Sequence, residues 1–488
     1  MFGSFVYEKI SAEYEKKLLL WDDDSLFCNS DRLEVFIANG FKVVRYTGDL
    51  EFRRDFGILM CDEHFKLLII ANSSQYVPYD IQRRCHVESV TVGSIFKGLS
   101  LSCLEHYRDA NLDMITLAYR NNFSPLNDSS AIKYFFEKMV FSGENIERYL
   151  NVCVEWLRSR VEHCHGYGEW FKIAERKAEV DRLAAQYRMM IDTQWISDSF
   201  SAWVIKHFGQ LSGELCQSTP VLVSKALDYM KGHSDKFVIV VMDGMSEFDW
   251  SILRKSFGGI KYDKASVFAM IPTVTSISRQ CLLSNKYPVQ LLEPWSQAKE
   301  KNEFMAYAMD EMGLNNNQII YGRGYDTDLK LGTRCAAIVV NEIDDIVHGQ
   351  GQERVGMLND VNVMAENGKL ANMVKRYLRQ GFDVYITADH GNPPCVGVGL
   401  YRGSGVETAT RSRRMMVLNS LADIDDLKAK YPLVEYPKYY LNKDYVYLIC
   451  EGQASYDSRG DRVMSHGGIT IDEVVVPFIT VRAEENNG

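Results

Sequence analysis

No uninterrupted apolar run in this 488-residue chain approaches the roughly 18–20 residues needed to span a bilayer, so a helical membrane protein is not expected. The amino terminus also lacks the apolar core of a secretory leader, because Glu8, Lys9, Glu13, Glu15, Lys16 and Lys17 crowd it. Cysteine is scattered and odd in number, 11 in all, and no two residues stand at the close spacing of a thiolate metal site or a redox pair. A reduced cytoplasmic compartment is the expectation. Positive charge is short as well: 55 Lys and Arg face 65 Asp and Glu, a formal net charge of -10. That excludes a protein that coats nucleic acid by bulk charge, and leaves a local basic site open. Repeats and low-complexity tracts are absent. What remains is an ordinary globular composition, 46% hydrophobic and 25% charged, at a length that predicts about three domains.

Residues 1–125 read as a small α/β domain. Apolar runs at 17–21, 41–46 and 67–71, with a helical pattern over 31–39 between the first two, predict a parallel sheet. Asp22, Asp23 and Asp24 read as a solvated strand end rather than a metal site. Residues 126–232 turn helical: Val180, Leu183, Ala184, Tyr187, Met190 and Ile191 form one apolar stripe. This stretch is expected to be a helical connector, with Trp156, Trp170, Trp195 and Trp203 as packing residues. From 233 to 488 buried strands alternate with helices, again an α/β pattern. Strands are predicted at 237–242, 336–340, 383–388, 414–418, 445–449 and 473–481, and helices at 276–283, 304–312 and 362–380.

The chemistry-bearing residues sit at the ends of these strands, where open α/β sheets bind ligands. Residues 237–242 run into Asp243-Gly244, and 336–340 run toward Asp344 and His348, four apart and so side by side on a helical turn. Residues 383–388 run into Asp389-His390-Gly391, and Ser465-His466-Gly467-Gly468 precedes the last strand. Asp243, Asp344, His348, Asp389, His390 and His466 make six oxygen and nitrogen donors, which suit two Zn²⁺ ions, or Mn²⁺, around one phosphate. A hydroxyl cluster, Thr273, Thr275, Ser276 and Ser278, follows Pro272 and supplies a nucleophile. Arg279, one helical turn beyond Thr275, is a candidate phosphate clamp.

Taken together, Asp243-Gly244, Pro272-Thr273-Val274-Thr275, Asp344 with His348, Asp389-His390-Gly391 and Ser465-His466-Gly467-Gly468 resemble the alkaline phosphatase superfamily. Thr273 to Arg279, Asn341 to His348, and His466-Gly467-Gly468-Ile469 ahead of Val475-Val476-Pro477 are similar to the PglZ branch. The start of the chain, with Leu19-Leu20-Trp21-Asp22, Asp31-Arg32-Leu33 and Gly40 to Tyr46, resembles the leader domain of PglZ proteins of bacteriophage-exclusion (BREX) systems. The resemblance implies an alkaline-phosphatase-like central sheet with flanking helices, and one metal on Asp243, Thr275, Asp389 and His390 with another on Asp344, His348 and His466. It implies Thr275 as nucleophile, with Thr273 as runner-up, and a phosphodiesterase acting on nucleotides or nucleic acid in phage defence. A phosphomonoesterase on the same site and a non-catalytic component of a defence complex stay open. Arg411, Arg413 and Arg414, after a Gly-rich loop at 397–405, are candidates for contact with a nucleic-acid backbone.

Overall fold

The computed structural model describes residues 1–214, 219–399, 412–419 and 424–484. They divide into two compact units, Met1–Val152 and Cys153–Gly488. The division falls inside the helix Gly143–Glu162, within the stretch expected as a helical connector.

In the first unit four strands form one sheet: β1 (Lys17–Trp21), β2 (Phe41–Arg45), β3 (Lys66–Ala71) and β4 (His86–Ser89). Their order is β2-β3-β1-β4, and every pairing is parallel. β1 and β3 are the apolar runs seen in the sequence; their Leu19, Leu67 and Ile69 pack with Phe52 and Met60 of the helix Asp49–Cys61. β4 gives no apolar signal, because it is an edge strand with an exposed face. Of the three aspartates after β1 only Asp23 is exposed, as a solvated end would be; Asp22 is buried and Asp24 half-buried. Asp22 is buried and accepts the backbone N–H groups of Leu26 and Phe27 (2.6 and 2.8 Å). Asp23 accepts the Ser73 N–H at 2.7 Å and Asp24 the Val92 N–H at 2.7 Å. The carboxylates fasten the loops at the sheet's carboxyl edge, which is why the sequence tolerates three of them together.

The second unit begins with helices. Tyr167–Tyr187 and Gln194–His207 turn Trp170, Phe200 and Trp203 toward one another, with the Trp170 and Phe200 rings 5.1 Å apart. Trp203 also lies 5.8 Å from the Phe268 ring, and Trp156 is flanked by the guanidinium groups of Arg160 and Arg176. These tryptophans are packing residues.

The main sheet of this unit has six strands: β5 (Phe237–Met242), β6 (Asp263–Phe268), β7 (Ile319–Arg323), β8 (Cys335–Val340), β9 (Asp383–Thr387) and, closing the series after smaller elements, the strand Val475–Val481. Those smaller elements are β10 (Pro394–Gly397), β11 (Met415–Asn419), β12 (Leu433–Glu435), β13 (Tyr445–Cys450), β14 (Ala454–Ser455) and β15 (Arg462–Met464), so Val475–Val481 is β16. They form two further three-stranded sheets, β14-β10-β15 and β11-β13-β12. The main order is β6-β16-β9-β5-β8-β7. β5, β8 and β9 are parallel and covered on both faces, which is why they read as continuous apolar runs. β16 runs antiparallel to both β9 and β6, so β6 points the same way as β9. The carboxyl ends of β5, β6, β8 and β9 therefore share one edge with the amino end of β16.

Three local readings are corrected. The helical pattern over 362–380 is two helices, Glu353–Asn367 and Lys369–Arg379, broken at Gly368, whose φ of +63° ends the first. Residues 473–474 belong to a short helical turn, Ile471–Val474, and not to the strand. The Gly-rich loop beyond Gly399, with Arg411, lies outside the described residues. Asp22→Ala is expected to cost about 1–3 kcal/mol of stability by leaving two amides without an acceptor. Hydrogen exchange checks this: the Leu26 and Phe27 amides should exchange faster, while those of β5 stay protected.

Candidate active site

Each strand end on the shared edge delivers a functional group. Asp243 follows β5, is 1% exposed, and is carried by a turn in which Gly244 has a φ of +75°. A Cβ on Gly244 would stand 3.5 Å from Asp344, so the glycine also lets the turn approach the next loop closely. The chain leaving β6 enters the helix Thr275–Ser284 at Thr275. β8 leads into the helix Glu342–Gly349, where the expected i,i+4 pair is formed: His348 Nε2 lies 3.3 Å from Asp344 Oδ2. Asp389 and His390 follow β9 and are fully buried. His466 arrives on the loop between β15 and β16.

The His390 and His466 imidazoles are oriented by their backbone partners. His466 Nδ1 is 2.9 Å from the Thr273 carbonyl and His390 Nδ1 is 3.1 Å from the Gly391 carbonyl. Each ring donates through Nδ1, which leaves an Nε2 lone pair facing the site. His390 Nε2 is 3.0 Å from Thr275 Oγ1, 3.7 Å from Asp243 Oδ1 and 3.9 Å from Asp389 Oδ2. His466 Nε2 is 3.6 Å from Asp344 Oδ1, and its ring stacks on that of His390 at 4.0 Å and 12°. His348 is outermost: its side chain is 45% exposed and its ring lies 5.6 Å from that of His466.

These residues fit divalent cations. Asp243, Asp389 and His390 bring one donor atom each within 4.8 Å of one another, as do Asp344, His390 and His466. His390 is therefore within reach of both groups. Asp243 Oδ1, Asp389 Oδ2 and Asp344 Oδ1 are buried and have no hydrogen-bond partner. A buried carboxylate oxygen with no partner is costly unless a cation satisfies it. The protonation states show the same crowding. Burial, and then the neighbouring Asp243 charge, push the Asp389 carboxyl well up. Burial, and then His390, push the His466 imidazole down to about 4, so it is neutral at neutral pH. Asp344 is also pushed up by burial, but the hydrogen bond from His348 and the nearby His466 and His390 hold it well below the usual carboxylate range.

Arg279 is not a phosphate clamp. It is fully buried, with Nη1 on Asp243 Oδ2 and 3.6 Å from Asp389 Oδ2, and Nε 2.7 Å from Glu300 Oε2. Its helix buries eight of ten residues, so the turn below Thr275 faces the core and not solvent. Burial alone would lower the Arg279 guanidinium, but Asp243, Asp389 and Glu300 more than offset it and hold it charged. Arg414 is not a nucleic-acid contact either: it is fully buried, with Nη2 2.7 Å from the Gly452 carbonyl and 3.3 Å from Glu473 Oε1. Arg413 is paired with Asp457 at 3.1 Å. Thr273, the runner-up nucleophile, is fully buried and its hydroxyl is engaged by Gly467, Gly468 and Glu473. Glu300 and Glu473 escape a reading of the sequence, since a glutamate opening a helix or preceding a strand looks like a solvated or capping residue.

Arg279→Met is expected to destabilise the protein by about 3–5 kcal/mol, because the buried Asp243 and Asp389 lose their counter-charge, while Glu300 keeps Arg323. Urea unfolding measures this. A clamp would instead raise KM and leave the unfolding midpoint in place.

Among curated proteins none matches the chain. Solved structures are similar to it at low identity. Murine ectonucleotide pyrophosphatase/phosphodiesterase 5 is 15% identical over 50% of this chain and 88% of that one, with a TM-score of 0.37. Its human counterpart is 13% identical over 51% and 89%, with a TM-score of 0.35. Phosphonoacetate hydrolase from Sinorhizobium meliloti 1021, in complex with phosphonoformate, is 11% identical over 51% and 90%, with a TM-score of 0.35. Residues 222–481, more than half of the chain and the whole of the six-stranded sheet, match the family described as the BREX system PglZ alkaline phosphatase-like domain. The chain belongs to the PglZ family, and its second unit carries the alkaline phosphatase-like domain of that family.

Proposed function

We propose that this chain is a metal-dependent phosphodiesterase with Thr275 as its nucleophile, acting on nucleotides or nucleic acid in bacterial phage defence. The observation that carries the reading is the Thr275 hydroxyl, 3.0 Å from His390 Nε2 and beside carboxylate oxygens that no hydrogen bond satisfies. Asp243, Thr275, Asp389 and His390 would hold one divalent cation, Zn²⁺ or Mn²⁺, and Asp344, His348 and His466 a second. Cations there supply Lewis acidity and the positive charge that an acidic site needs before it can receive a phosphate.

The chain's own residues account for the rest. Thr275 opens the ten-residue helix Thr275–Ser284, whose N-terminus has no side-chain cap. Its first amides and its dipole favour an anion in front of the hydroxyl. The Thr275 oxygen forms a bond to phosphorus, the ester bond to the leaving alcohol breaks, and the hydroxyl proton is given up to solvent. Water then hydrolyses the phosphothreonine and restores the hydroxyl. Arg279 keeps Asp243 and Asp389 in place from behind. Family membership supports phosphoester chemistry and a defence setting with protein partners from that system. The preference for a diester and a nucleotide is supported by the motif resemblance, since a fold does not choose its substrate.

Thr275→Ala is expected to slow hydrolysis of bis-(p-nitrophenyl) phosphate by at least about a thousandfold. A chelator should abolish wild-type activity, with Zn²⁺ or Mn²⁺ restoring it, and p-nitrophenyl phosphate should be the poorer substrate. Wild-type rates in the alanine variant would refute the nucleophile. A faster monoester would refute the substrate class.

A further inference from the structure

Glu473 stands in the helical turn ahead of β16 and is fully buried. Its Oε1 accepts the Thr470 N–H and hydroxyl, at 2.9 and 2.8 Å, and faces Arg414 Nη2 at 3.3 Å. Its Oε2 accepts the Gly468 N–H at 2.7 Å and faces the Thr273 hydroxyl at 3.1 Å. Its backbone carbonyl accepts the Gly391 N–H at 2.9 Å. One residue is thus bonded to three loops that carry candidate site residues. Thr273 leads to Thr275, Gly391 follows His390, and Gly468 lies two residues beyond His466.

The ordinary reading of such a glutamate is a helix cap, and Thr470 with Glu473 does form a capping box. The cap employs Oε1 alone. It does not explain why Oε2 faces the nucleophile loop, or why a guanidinium with no exposure is set against the carboxyl group. The packing has the same focus. A Cβ on Gly468 would lie 2.7 Å from Glu473 Oε1 and 2.8 Å from Arg414 Nε, and one on Gly391 would lie 2.1 Å from the Asp472 carbonyl. Both glycines of the metal-site loops are there so that backbone can press on this turn. Thr273 completes the link: its hydroxyl accepts the Gly467 N–H at 3.0 Å, and its carbonyl holds His466 Nδ1.

We propose that the Glu473 side chain, through Thr273, is a positioning group that fixes His466 on the loop leading to Thr275 and so sets the affinity of the site for a divalent cation. This rests on the metal-site reading given above. Each oxygen of the Glu473 carboxylate accepts a backbone N–H, Oε1 from Thr470 and Oε2 from Gly468, so Glu473→Gln must set an amide N–H against another donor. Thr273→Val removes the linking hydroxyl at nearly constant shape, and Thr273→Ser keeps it.

The test is a titration of the metal-free full chain with Zn²⁺ alone, in competition with a chromophoric chelator, with a thermal melt of each metal-free protein alongside. Glu473→Gln and Thr273→Val are expected to bind Zn²⁺ about 10- to 100-fold more weakly. Thr273→Ser should bind close to wild type and melt close to it, whereas the metal-free melt of Thr273→Val should fall, because the buried Gly467 N–H loses its acceptor, and its Zn²⁺ affinity is read below that melt. Wild-type Zn²⁺ affinity in both weakened variants would overturn the role of Glu473, and so would a Thr273→Ser protein as weak as Thr273→Val. Should Glu473→Gln fail to fold, the two Thr273 variants decide alone. A wild-type chain that binds no Zn²⁺ more tightly than His466→Ala does would remove the metal site itself, and this proposal with it.

Discussion

The arrangement depends on one buried cation. Asp243 and Asp389 converge from neighbouring strands and are both buried, and like charges that close repel strongly in a medium of low dielectric constant. The Arg279 guanidinium lies behind them, tied on its other side to Glu300. It neutralises the acidic pair, touching Asp243 Oδ2 and Asp389 Oδ2, while Asp243 Oδ1 stays outside its reach and neither Asp243 Oδ1 nor Asp389 Oδ2 has a hydrogen bond. The protein has in effect divided the work of balancing these carboxylates: a permanent charge from within, and room for an exchangeable one in front.

The sheet does the gathering. Five segments separated by up to hundreds of residues meet because four strands point one way and a fifth, β16, points the other. The antiparallel insertion of β16 brings the loop carrying His466 and the turn carrying Glu473 to the same edge as Asp243, Thr275, Asp344 and Asp389. Backbone carbonyls then orient the imidazoles, so the ligand geometry is written largely in main-chain contacts from Thr273 and Gly391.

Much of this architecture is legible in the sequence, for reasons that also explain the gaps. β5, β8 and β9 are buried on both faces, so they stand out as unbroken apolar runs with a functional residue at the end. β6 does not, because it opens with Asp263 and Lys264, and Lys264 is neutralised by Glu175 and Glu247 in the folded protein. β7 is short and interrupted by Gly322. Arg279 illustrates the deeper limit. Its position one turn from Thr275 follows from helical spacing, but whether that turn faces the core or the substrate depends on what packs around the helix. The same applies to Glu300, Glu473 and Asp22, whose partners lie in segments that no local pattern connects.

The placement of β16 has a consequence for the order in which the protein comes into being. Within the six-stranded sheet, β6 touches no strand but β16, and β16 is the last of them to be synthesised. Until residue 481 has left the ribosome, β6 and the Thr275 loop that follows it have no place in the sheet. Until then a nascent chain holds Thr275 apart from the acidic residues at the ends of β5, β8 and β9, and the candidate site comes together only once β16 has been made.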